Sequence, residues 1–376
     1  MKKQLFLALL CLCTISSIAQ TFKGVVRNAE TNAPAGQITI VSADQTFFVT
    51  SNDQGEVVLP ENMVNKKLFI NDYEYQYSEK AFTNTQDFVW ELTPNSETLE
   101  EIVIYENPEM ILEEVINHSI ESFSSNLKLE SYYRENYYEN NQTARFADGI
   151  VDFYVNRALN KVQPVVKQSR AKGIAEISEV SESLMGSPSK LVDFAMQFNR
   201  LSKLIEDKRH EFYITSKTIG DKTIYTCYIN PKEKSRRGMM NFLFKGYFRF
   251  DAEKKLILET NLGFAPEKKK YNNKPVNMII AKITVWDYLI KAKYNVTDNL
   301  YYPTYAQWLF KGNVNSKLAK VDNEQVHSQS YFYVLSANKV LEMPAENKVH
   351  SGNLYSRGSI YKEEFWKRPE IINLEE

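Results

Sequence analysis

The chain has 376 residues, with 46 Lys and Arg against 47 Asp and Glu and a formal net charge of −1. That balance excludes the broad basic surface on which nucleic-acid binding depends. A hydrophobic fraction of 43% with 25% charged residues is ordinary for a globular protein, and the length supports two or more domains.

The chain opens MKKQLFLALLCLCTISSIAQ. Lys2 and Lys3 precede an apolar run from Leu5 to Cys13, and Ser17-Ile18-Ala19 supplies the small-x-small pattern of a signal-peptidase site. The expectation is an export signal over residues 1–19, cut before Gln20, and a periplasmic or secreted product. Cys11 follows Leu10 and Cys13 follows Leu12, where lipoprotein processing needs a small residue. Peripheral association with the outer membrane would therefore run through protein contacts. No second apolar run reaches the roughly 20 residues of a spanning helix. The stretch Met278–Trp286 is short, carries Lys282 and reads as a strand. Beyond the signal only Cys227 remains, so no internal disulfide can form, and its alternating apolar setting predicts a buried strand position.

Residues 20–93 alternate in short blocks. Phe22–Val26, Gln37–Val41, Thr46–Thr50, Glu56–Leu59, Lys67–Ile70 and Asp87–Leu92 read as strands. Turns fall at Asn32–Gly36 and Asn52–Gly55, where Asp53 is suited to bonding local backbone and Gly55 to positive φ. Short strands without a helical period predict a small β-sandwich. The series FKGVVRNAETNAPAGQITI, TSNDQGEVVLP and FVWEL resembles the carboxypeptidase-regulatory-like, transthyretin-type β-sandwich. Gly24, Pro34, Ile38, Ile40, Thr50, Gly55 and Val57 hold that family's motif places, with Val57 where an aromatic often stands. The resemblance implies an accessory or scaffolding module without peptidase activity.

Residues 94–126 read as a linker and helix. Leu99–Tyr105 is suited to one strand. Pro108 opens a helix to about Phe123, with Ile111, Leu112, Val115, Ile116 and Ile120 at helical spacing. Residues 127–376 are predominantly strand-like, including Ala147–Tyr154, Val162–Gln168, Glu211–Lys217, Thr223–Ile229, Leu256–Leu262 and Gln329–Val334, with one helix near 190–205. The prediction is a mainly β protein: the sandwich, then a large antiparallel, half-barrel-like sheet with covering helices. This half is similar to the uncharacterised region following the same sandwich in secreted proteins of Bacteroidota-type bacteria. The likeness is carried by Leu99–Ile104, Tyr132–Glu135, Ala147–Tyr154 and Phe365–Ile372. The half-barrel pattern is also similar, at fold level, to periplasmic lipoprotein-carrier and sensor domains.

No convergent catalytic motif is present, so no catalytic residue, metal or cofactor is expected. His118-Ser119-Ile120-Glu121 has the H-x-x-E spacing of zinc carboxypeptidases, but no second histidine stands in a strand-end context with a catalytic glutamate nearby. Asp148 and Asp152 fall on one strand face, where solvation or Arg partners are expected. The basic runs Lys232–Arg237 and Lys268–Lys270 read as solvated hairpin tips, with anionic lipid or glycan contact as the functional alternative.

The aromatics carry the functional hint. Tyr132, Tyr133 and Arg134, and Tyr301, Tyr302, Tyr305 and Trp308, are candidate ligand-binding residues. Leu300–Gly312, with Pro303, reads as a loop. The first expectation is a non-catalytic binding or assembly protein of the cell envelope, its partner a protein, glycan or lipid. The alternative is a lipid or lipoprotein carrier, requiring an apolar cavity between sheet and helix; less favoured is a hydrolase built on His210 or His327. Oligomeric state is left open.

Overall fold

The computed structural model describes residues 21–360, apart from 44–47, 71, 73, 96–100, 106, 157–160, 174–176, 179, 181, 183, 220–221, 237–241, 278–280 and 297–299. The expected export signal, Thr46–Phe47, Leu99–Glu100 and Phe365–Ile372 lie outside the described residues.

Alternating side chains build the first seven strands: β1 (Thr21–Asn28), β2 (Thr39–Ser42), β3 (Phe48–Thr50), β4 (Glu56–Pro60), β5 (Lys67–Ile70), β6 (Ser78–Ala81) and β7 (Phe88–Leu92). They form two sheets, β4-β1-β7 and β3-β2-β5-β6. Phe22, Val26, Val57, Leu59 and Trp90 of the first sheet share one apolar core with Ile40, Leu68 and Ile70 of the second. This is a two-layer β-sandwich. Gly55 has φ +74°, and a Cβ there would lie 2.2 Å from the Val26 carbonyl oxygen, so this turn requires glycine. Its local bonds come from Asn52, whose Oδ1 accepts the Gln54 and Glu56 N–H groups at 3.0 and 2.8 Å. Asp53 instead accepts from Gln37 Nε2 at 3.0 Å.

The chain then enters the large sheet at its edge through β8 (Glu101–Val103). Helix α1 (Pro108–Ser122) follows, opened by Asn107, whose Oδ1 accepts the Met110 N–H at 3.3 Å. It buries Leu112, Val115 and Ile116, the stripe expected from its sequence. The sheet continues with β9 (Leu127–Glu139), β10 (Gln142–Asn156) and β11 (Lys161–Gly173). Two helices, α2 (Pro188–Met196) and α3 (Asn199–Glu206), lead to β12 (His210–Ile219), β13 (Lys222–Pro231), β14 (Phe244–Asp251) and β15 (Ile257–Phe264). Last come β16 (Lys274–Asn277), β17 (Lys282–Val296), β18 (Tyr301–Ser316) and β19 (Val321–Lys339).

Among the described residues this is a twelve-stranded antiparallel sheet in the order β11-β10-β9-β19-β18-β17-β15-β14-β13-β12-β8, with β16 pairing β17. β9 and β19, distant in sequence, pair along nearly their whole lengths and join the two hairpin series.

Two local expectations are corrected. The single helix near 190–205 is two helices, broken at Gln197–Phe198. The break lets Phe198 bury between Phe123 and Tyr294, with ring centroids 5.3 and 5.2 Å away. Leu300–Gly312 is mostly strand, from Tyr301 onward. Pro303 fits because it pairs with Tyr294 where the β17–β18 register shifts, a bulge that tolerates the missing N–H.

The sheet's two faces are covered by different partners. On one, α1, α2 and α3 pack on Leu129, Tyr133, Val151, Phe153, Phe248, Ala306 and Phe332. On the other, Tyr132, Ile150, Tyr305 and Tyr333 form a separate cluster, and β3 of the sandwich packs against β19. The sandwich also approaches through Glu74, which lies 3.5 Å from Arg249 and 3.7 Å from Lys293. Burial opposes the Lys293 ammonium, but Asp72, Glu74 and Glu259 outweigh it and raise its pKa.

Candidate functional site: a cleft between helix α2 and the sheet

Strand alternation decides where the predicted aromatics go. Adjacent residues point to opposite faces, so Tyr132 and Tyr133 separate. Tyr132, Arg134 and Tyr305 face the sandwich, whereas Tyr133 and Trp308 face the helices. Tyr132, Tyr133, Tyr301, Tyr302 and Tyr305 are all 3% exposed or less. Their hydroxyls are used internally. Tyr132 donates to Asp148 Oδ2 at 2.7 Å, Tyr133 to Glu135 Oε2 at 2.9 Å, and Tyr301 to the Ile257 carbonyl at 2.8 Å. Tyr302 accepts from Asn295 Nδ2 at 3.2 Å, and Tyr305 lies 3.4 Å from Gln307 Oε1. The Arg134 guanidinium covers the Phe146 ring at 4.7 Å.

Trp308 is placed differently. It lies on the floor of a cleft of about 190 Å³ between α2 and strands β18 and β19. Phe310 and Ser330 complete the floor. Leu184, Met185, Leu191 and Phe194 form the apolar walls. Trp308 and Phe310 alternate onto one face of β18 and stack with centroids 6.0 Å apart. Gly186 crosses close above them: a Cβ there would lie 2.7 Å from Ser330 Oγ and 3.5 Å from the Trp308 ring. Glycine therefore lets the chain approach the sheet and set the depth of the cleft. Ser187 then caps α2, its Oγ accepting the Lys190 N–H at 3.4 Å, which fixes Leu191 and Phe194 in the wall.

The cleft opens into a wider polar mouth of about 690 Å³. The two share Met185, Gly186, Ser187 and Lys190. Val162 and Pro164 of β11, Glu182, and the segment Val349–Asn353 enclose the mouth. The next residues, Leu354 and Tyr355, are pinned to the sheet by Glu135, a 2% exposed carboxylate on β9. Glu135 accepts the Tyr355 N–H at 2.7 Å. Burial pushes its pKa up to about 7, against bonds from the Tyr355 and Leu354 backbones and Tyr133 that favour the ion.

The ionisable groups weighed from sequence are committed elsewhere. Asp148 is buried rather than solvated and accepts Arg170 Nε at 2.9 Å and Nη2 at 2.5 Å. Asp152, on the same strand, is 1% exposed and lies 3.6 Å from Lys167 and 3.9 Å from Lys128. His210 Nε2 accepts the Phe244 N–H at 3.2 Å while Nδ1 lies 3.4 Å from Asp207 Oδ2. His327 stacks on Tyr138 at 4.9 Å. His118 is exposed on α1 and lies 3.5 Å from Ser122 Oγ. Among the described residues no group of three or more His, Cys, Asp or Glu is placed to hold a metal ion. Cys227 is fully buried, as its strand pattern predicts, and burial raises its thiol pKa.

The basic runs are only partly solvated tips. Lys268 is 6% exposed and donates to the Glu233 carbonyl at 2.6 Å. Arg236 stacks on Tyr271 at 4.8 Å.

No protein-family model matches the chain, and no curated protein matches it. Similar solved structures include a LolA superfamily protein from Nitrosomonas europaea, at 8% identity and TM-score 0.22 over 62% of this chain and 94% of that one. Lipovitellin, in a structure described for its lipid–protein interactions, matches at 8% and 0.24 over 63% of this chain and 27% of its own. A DUF1329 family protein from Desulfovibrio piger matches at 8% and 0.27, over 63% and 95%. These likenesses are too distant to carry function, which is read from the cleft alone.

Proposed function

We propose that this chain is an exported, non-catalytic carrier or binding protein of the cell envelope that holds the apolar part of an amphiphilic ligand in the α2–sheet cleft. The carrying observation is an aromatic and aliphatic cleft that opens into a polar mouth. An apolar pocket with a few polar groups at its rim is the usual form of a small-molecule site. At about 190 Å³ the cleft is below the roughly 300–1,000 Å³ that engulfs a whole drug-sized ligand. It suits a chain or ring segment, with the polar remainder in the mouth. The sandwich, in this reading, is an accessory module of the carboxypeptidase-regulatory-like type that backs the sheet.

The test is titration of the mature protein with N-phenyl-1-naphthylamine, a neutral apolar fluorophore. One saturable site per chain is expected, lost in Leu184→Trp, which fills the cleft from a turn. Non-saturating binding, or binding unaffected by Leu184→Trp, contradicts the reading.

A second reading, assembly with an envelope protein, is favoured by one observation. Ile102 and Tyr213, on the edge pair β8–β12, and Ile104 just beyond β8, are 71%, 45% and 91% exposed. Pull-down with Ile102→Lys against wild type separates it from the carrier reading.

A further inference from the structure

We propose that the mouth selects an anionic head group, so that the ligand is a single-chain amphiphile ending in a carboxylate or phosphate. This rests on the cleft reading above and specifies its chemistry. Lys190 lines both the apolar cleft and the polar mouth. Its position is therefore where a ligand's head meets its tail.

The other ionisable groups of the mouth leave that cation uncompensated. Glu182 is paired with Arg145 at 3.2 Å. Burial lowers the pKa of His350, and its Nε2 lies 2.7 Å from the Asn353 carbonyl oxygen. The imidazole is thereby kept neutral near pH 7, with Nε2–H as donor. Among the described residues Lys190 forms no ion pair. Ser187, Ser189 and Asn353 add neutral hydrogen-bonding groups around it. An anion gains from this arrangement, whereas an ammonium head meets Lys190 and a Glu182 carboxylate already engaged by Arg145. The single tail follows from the small volume of the cleft.

The experiment is calorimetric titration of the mature protein with decanoate, decyl phosphate, decanol and decylamine at pH 8 and low salt. Both anions are expected to bind about five- to tenfold tighter than decanol, the gain of one charge-assisted hydrogen bond in a partly wet site. Decylamine should be weakest. The tighter of the two anions identifies the head group. Lys190→Glu, at an exposed position, should remove the preference for both anions over decanol. Equal affinity for all heads, a preference for the amine, or an anion preference that survives Lys190→Glu overturns the head-group inference and leaves the cleft standing. Failure of every decyl compound to bind overturns the cleft reading and this inference together.

Discussion

Glu135 and Tyr355, 220 residues apart in sequence, are joined by a 2.7 Å hydrogen bond from the Tyr355 backbone N–H to Glu135 Oε1. It ties the chain just beyond the segment that walls the mouth to β9, the third strand from one edge of the large sheet. The carboxylate end is fully buried, which makes the tie sensitive to pH.

Glu135 has a pKa of about 7 in the folded chain, raised from 4.5 chiefly by burial. A group raised on folding stabilises below its unfolded value, and that contribution is lost as pH rises through the folded value. Wild type should therefore lose up to about 3 kcal/mol relative to Glu135→Gln between pH 4.5 and 7.5. Urea unfolding midpoints of both proteins across that range check it. The lowered pKa values of His210, His327 and His350 act in the opposite sense, so the wild-type-minus-variant difference is the quantity to read. A flat difference contradicts the assignment.

Asp148 sits at 0% exposure between the Tyr132 hydroxyl and the Arg170 guanidinium. Asp148→Asn removes the buried charge to which Tyr132 and Arg170 both donate, at a cost of about 3 kcal/mol. Denaturation should show this with no change in binding of the apolar fluorophore, because the network lies on the face away from the cleft.

These residues mark what was legible in the sequence. The strands were readable from alternation and α1 from Leu112, Val115 and Ile116. The burial of both Tyr132 and Tyr133 was not, because it requires the sandwich to cover one sheet face and helices the other. Pro303 suggested a loop, since its accommodation at a bulge depends on the register with β17. Trp308 was named as a candidate. Its cleft partners Leu184, Phe194 and Ser330 were missed because the fold alone unites them; Gly186 beside the Ser187-Pro188 cap was the one local signal.

Lys293 is 7% exposed beneath the sandwich and lies 3.7 Å from Glu74. Lys293→Met should loosen sandwich from sheet and cost about 1 kcal/mol, because Glu74 is half exposed and keeps Arg249 as a partner. Faster limited proteolysis between residue 93 and β8, with the sandwich released intact, is the expected readout. An unchanged cleavage rate would place the docking energy elsewhere.

Cys227 is fully buried and its thiol pKa is raised by burial. A thiol reagent should leave the native protein lacking residues 1–19 unmodified and label one site per chain in guanidinium. Rapid native labelling contradicts the packing of β13.

Within the cleft, each methylene added to an alkyl ligand should strengthen binding by about 0.8 kcal/mol until the cleft is full, then little more. Calorimetry over hexanol to dodecanol reads the break. A slope that never flattens contradicts a closed floor at Trp308 and Ser330.

The central claim is that an apolar tail lies between α2 and strands β18–β19. Photolabelling with a decanol analogue carrying a terminal diazirine, followed by peptide mapping, tests it most directly. Labels confined to residues 184–194 and to the strands around Trp308, Phe310 and Ser330, and lost in Leu184→Trp, are the expected result. Labels spread over the surface, or concentrated on the β8–β12 edge at Ile102 and Tyr213, would contradict it.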